Sequence, residues 1–97
     1  MAINLTKKKL LADRLTGFLE QGPDTLTTAN FKEKRSLVEK TILETLSLGI
    51  NIDDIVAEYQ QELASSSGGP DNPSEGRLGY IKGHLKELLN RIKALDA

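Results

Sequence analysis

The chain has 97 residues, thirteen basic and fourteen acidic side chains, a formal net charge of −1, and neither Cys nor Trp. A chain of this length buries roughly 60–70% of the surface it exposes when unfolded, which supports one core and excludes a second. Without Cys there is no disulfide framework, no thiolate nucleophile and no Cys-ligated metal site, and no stretch approaches the roughly 20 apolar residues that cross a bilayer.

Leu, Ile and Val supply nearly all the large apolar side chains, and the only aromatics are Phe18, Phe31, Tyr59 and Tyr80. Such a composition suits helices better than sheets. The first helix is expected over 5–21, with Leu11, Leu15 and Phe18 on one stripe widened by Leu10 and Leu19. The N-terminus carries Lys7, Lys8 and Lys9, but Asp13, Arg14 and Glu20 break the apolar positions after them, so there is no signal-peptide core and a cytoplasmic location is expected. Gly22-Pro23-Asp24 ends this helix.

The second helix is expected over 29–48, capped by Thr27, Thr28 or Asn30, with Phe31, Leu37, Val38, Ile42, Leu46 and Leu48 as its apolar positions. Gly49 followed by Ile50 reads as a left-handed glycine that folds the chain back. A third helix over 52–64 has Asn51 as its cap, Asp53 and Asp54 in its first turn, and apolar residues Ile52, Ile55, Val56, Tyr59 and Leu63.

Residues 65–76 have no large apolar side chain to offset ordering entropy, so a mobile loop is expected. The fourth helix, over 77–95, carries a heptad seam of Leu78, Ile81, Leu85, Leu88, Ile92 and Leu95, with Leu89 beside it. Gly76, Gly79 and Gly83 dilute its helical propensity and leave a bare strip.

The fold expected is therefore all-α, a single helical domain over 1–97. It is a compact bundle of about four helices with a flexible Ser/Gly/Pro loop before the last, the final seam lying against Ile55, Tyr59, Val38, Ile42 and Leu15.

No constellation for catalysis, no cofactor site and no metal site emerges. His84 stands alone among Lys82, Lys86 and Arg91 and reads as a surface residue. Asp53 and Asp54 diverge by about 100° on a helix and cannot serve one site. Ser65, Ser66 and Ser67 have no positioned base.

Residues 41–60 match the apolar spacing of a helix-turn-helix, yet the would-be recognition helix shows Asp53, Asp54, Glu58 and Glu62 and no Arg or Lys, so DNA binding through 52–64 is disfavoured. Charge is divided along the chain. Residues 1–40 hold eight basic and five acidic side chains, 41–76 seven acidic and none basic, and 77–97 five basic and two acidic. Separate basic and acidic faces follow, fit to steer a charged protein partner or a second copy. The candidate partner-binding residues are Gly69, Pro70, Arg77, Lys82, Lys86, Arg91 and Lys93.

A small helical chain without Cys, carrying an exposed Gly69-Pro70 in a Ser/Gly/Pro loop, resembles the phage-encoded proteins that disable the host RecBCD nuclease-helicase. The resemblance implies binding to a host DNA-processing enzyme and recruitment of a prolyl isomerase through Pro70. Three functions are consistent with the residues: a protein-binding modulator or inhibitor, a dimeric helix-turn-helix DNA-binding regulator, and a coiled-coil adaptor that forms a homodimer through Leu78 to Leu95.

Overall fold

The computed structural model describes residues 5–66, 68–69 and 71–95. Four helices account for most of them: α1 (Leu5–Leu19), α2 (Phe31–Leu46), α3 (Asp53–Ala64) and α4 (Glu75–Lys93), with no strand among the described residues. The architecture is the all-α bundle that the aliphatic periodicity implied.

Helix ends follow from local hydrogen bonds. Asn30, at the N-cap of α2, exchanges bonds with the turn before it: Thr27 N donates to Asn30 Oδ1 at 2.8 Å and Asn30 N donates to Thr27 Oγ1 at 3.2 Å. Gly49 closes α2 in the left-handed region at φ 86°, where a side chain would be strained, and its N–H donates to Leu46 O at 3.0 Å. Asn51 sits one residue before the N-cap of α3 rather than at it, and its Oδ1 accepts from Asp53 N at 3.1 Å. Ser74 caps α4 by accepting from Arg77 N at 3.2 Å, which starts the helix two residues earlier than expected. Its end comes at Lys93 rather than 95, where the tighter Leu95 N to Ile92 O bond takes over.

The helices alternate in direction. Arg14 on α1 meets Thr41 and Glu44 on α2, while Lys7 near the start of α1 meets Ser47 just beyond the end of α2. Lys8 donates to Leu95 O at the far end of α4. Close helix approaches are α1 with α4, α3 with α4, and α1 with α2, so α1 and α4 form the central pair. Val38 and Ile42 join the α4 seam in one common core together with Leu15, Ile55 and Tyr59, while the closest backbone approaches of α4 are to α1 and α3. The backbone spans 43 × 27 × 18 Å, and its thinnest dimension is about two helix diameters.

Ile81, Leu85, Leu88 and Ile92 of the seam are fully buried with Leu11, Leu15, Phe18, Phe31 and Val38. Leu26, in the Thr-rich connection, is buried just as deeply, its N–H donating to Phe18 O at 3.0 Å. Conversely Leu10, Leu37 and Leu46, expected on core stripes, are exposed, as is Leu43 at 66%. Thr41 and Thr45 are fully buried on the inner face of α2, each hydroxyl satisfied by donating to the carbonyl four residues back.

The 65–76 loop carries contacts that its composition did not suggest. Asp71 Oδ1 accepts from Arg35 Nη1 at 3.0 Å, Asn72 N donates to Gly69 O at 3.2 Å, and Pro73 is buried. Pro73 and Leu78, both buried, occupy the two positions of a hydrophobic staple around the Ser74 cap.

Candidate functional site

The bundle sorts the basic residues of α4 onto two flanks. Arg77, His84 and Arg91 recur every seven residues and face α3, which presents Asp54, Glu58 and Glu62 every four. Arg91 holds Asp54 through two bonds of 2.7 Å, Nη1 to Oδ1 and Nη2 to Oδ2. His84 Nδ1 lies 3.1 Å from Glu58 Oε2, and Arg77 Nη1 donates to Glu62 Oε2 at 3.0 Å. The basic positions span about 21 Å of helix and the acidic ones about 12 Å. The ladder closes because the two long arginines reach inward from its ends while the shorter imidazole takes the middle.

His84 is thus not the surface residue expected from its neighbours in sequence. Its side chain is 21% exposed and its Nε2 is buried without a hydrogen-bond partner, 3.9 Å from Glu62 Oε1. Even so, no group of three or more His, Cys, Asp or Glu among the described residues is placed to hold a metal ion. The Arg91 guanidinium holds the Asp54 carboxyl down at about 2, through its hydrogen bonds first and its charge second.

The other flank of α4 faces α1. Lys82, Lys86 and Lys93, at spacings of four and seven, line a groove of about 470 Å³ between the two helices. Leu19 and Leu89 give it an apolar lining, Gly83 leaves a bare patch, and Glu20 is its one acidic residue. Lys82 donates to Leu26 O at 3.3 Å. Among the described residues, Lys86 and Lys93 form no ion pair.

The seven candidate residues therefore do not form one surface. Lys82, Lys86 and Lys93 share the groove, Arg77 and Arg91 are engaged with α3, Gly69 lies in the loop, and Pro70 falls outside the described residues. Leu19 and Glu20 were missed because they reach the groove only through the α1–α4 packing. Leu89 and Gly83 share the lysine flank, and that much the 3.6-residue period of α4 could have shown.

A second polar cluster joins α2 to α3. Arg35 Nε donates to Glu39 Oε2 at 2.6 Å and Tyr59 Oη donates to the same oxygen at 3.0 Å. Burial, followed by the Glu39 carboxylate, pushes the Tyr59 phenol well above the usual tyrosine range. No helix among the described residues is long and apolar enough to cross a membrane.

No protein-family model matches this chain, and no curated protein or solved structure matches it.

Proposed function

We propose that the chain is a non-enzymatic protein-binding modulator whose recognition surface is the lysine-lined groove between α1 and α4. The observation that carries this is the division of α4: its arginines are neutralised within the fold, whereas Lys82, Lys86 and Lys93 flank an open cleft with Leu19 and Leu89 in its lining. Charge beside a partly buried aliphatic lining suits a protein partner, which can meet both. Within that class, the resemblance to phage-encoded RecBCD inhibitors names a host nuclease-helicase in the cytoplasm as the partner, with a prolyl isomerase at Gly69-Pro70 as a second.

The rival functions have less support. Asp53, Asp54 and Glu58 occupy the exposed side of α3, so a helix-turn-helix regulator would push carboxylates toward phosphates. A coiled-coil adaptor needs the Leu78 to Ile92 seam, which this chain buries in its own core.

Affinity capture from host lysate, run with and without nuclease treatment and using the tagged protein and its Lys82→Glu/Lys86→Glu/Lys93→Glu variant, tests the proposal. A protein partner identified by mass spectrometry with the parent chain and lost with the variant is expected. Recovery of nucleic acid alone, or a partner that the variant retains, would overturn it. Addition of the pure chain to RecBCD, followed by nuclease assay, tests the named partner, and Pro70→Ala tests the isomerase.

A further inference from the structure

We infer that the occupant of the α1–α4 groove is an acidic amphipathic helix of the partner protein, its carboxylates spaced to meet Lys82, Lys86 and Lys93 and an aliphatic side chain seated against Leu19 and Leu89. This rests on the protein-binding reading above and specifies the chemistry of the partner.

The three lysines extend over about 16 Å along one side of α4, the length of three helical turns. The cleft volume of about 470 Å³ takes a few side chains and not a whole helix, so an occupant of this kind rides on the rim and inserts one face. Spacings of four and seven on α4 repeat one helical stripe, and a second helix laid alongside presents its own stripe at the same intervals.

Charge decides the sign of that stripe. Three lysines against the single Glu20 make the groove cationic. The apolar lining decides its class: half-buried Leu19, with the edge of Leu89 that the core leaves open, would face anionic oxygens under a phosphate backbone, whereas a peptide supplies carboxylates and aliphatic groups together.

A second copy of the chain is a poor occupant. Its run of carboxylates at four-residue spacing, Asp54, Glu58 and Glu62, is already held by Arg91, His84 and Arg77. The acidic helix must come from another protein.

The test uses the full chain and a labelled synthetic helix with glutamates four and seven residues apart and leucines between them, followed by fluorescence anisotropy. The probe should bind, weaken as salt is raised, and lose roughly tenfold or more in affinity against Lys86→Glu/Lys93→Glu. A lysine version of the probe should recover binding to that variant. Gly83→Leu supplies a second arm, because a Cβ there has open space around it and the longer side chain enters the groove that Gly83 lines: it should weaken binding several-fold with all three lysines intact.

Equal binding of a scrambled probe, unchanged binding by both variants, or preference for duplex DNA or phosphatidylglycerol vesicles over the peptide would each overturn the inference. If lysate capture disappears on charge reversal while the probe fails to bind, the protein-binding reading stands and the acidic helix is refuted. If capture survives charge reversal, the groove itself is the wrong surface.

Discussion

Tyr59 and Asp54 show how single side chains couple the helices to pH. Tyr59 is an acid whose ionisation is pushed upward by burial and Glu39, so the stability it contributes is complete below about pH 10, the ordinary tyrosine value, and is lost as pH rises through the higher folded value. Tyr59→Phe removes the bond to Glu39 and should cost about 0.5–1.5 kcal/mol in chemical denaturation at neutral pH. Ultraviolet titration of the parent chain should show one phenol ionising only well into the alkaline range. Asp54 has the opposite sign. Its folded value near 2 lies below the ordinary 3.8, so its contribution is present above pH 4 and lost as pH falls toward 2. Asp54→Asn should flatten that part of the acid-unfolding profile, and a profile unchanged by the substitution would show that the Arg91 pair contributes nothing. Neither residue advertised this role by its sequence neighbours: Asp54 read as a first-turn carboxylate, and Glu39 is twenty positions from Tyr59.

At the scale of elements, α4 is held by its seam and weakened by its glycines. Gly79 and Gly83 have helical backbone and open space around the position of a Cβ. Gly79→Ala and Gly83→Ala should therefore each raise stability by roughly 0.5–1 kcal/mol in thermal or denaturant melts. The seam behaves oppositely: Leu85→Ala should cost about 2–5 kcal/mol, and Leu26→Ala in the α1–α2 connection should cost a similar amount despite lying outside any helix. Leu43→Ala, on the exposed side of α2, should stay within roughly 0.5 kcal/mol of the parent chain. The heptad spacing made the seam readable in advance. Leu26 escaped because a lone leucine among threonines has no period to mark it, and only the return of the chain across Phe18 buries it. The same limit misplaced Leu37 and Leu46, which fit a helical stripe but stay about 40% exposed in the folded chain.

For the whole molecule the decisive quantity is where opposite charges end up once the helices are laid side by side. Arg77 and Arg91 become internal partners of α3, and Lys82, Lys86 and Lys93 become the rim of an open cleft. Sedimentation should find a monomer at micromolar concentration, because the hydrophobic seam that would drive dimerisation is already filled. A stable dimer that dissociates on Leu85→Ala/Leu88→Ala without loss of helix content would instead favour the adaptor. Helix number, helix type, the glycine stop at Gly49 and the separation of acidic from basic segments were all legible from residue order, because each depends on neighbours within a few positions or on simple charge counts. What residue order could not supply was pairing between segments. Which arginine meets which carboxylate, that His84 is enclosed by Glu58 and Glu62, and which flank of α4 stays open depend on the relative placement of helices distant in the chain. That placement is set by the packing of Leu11, Leu15, Ile55 and Ile81 into one shared core.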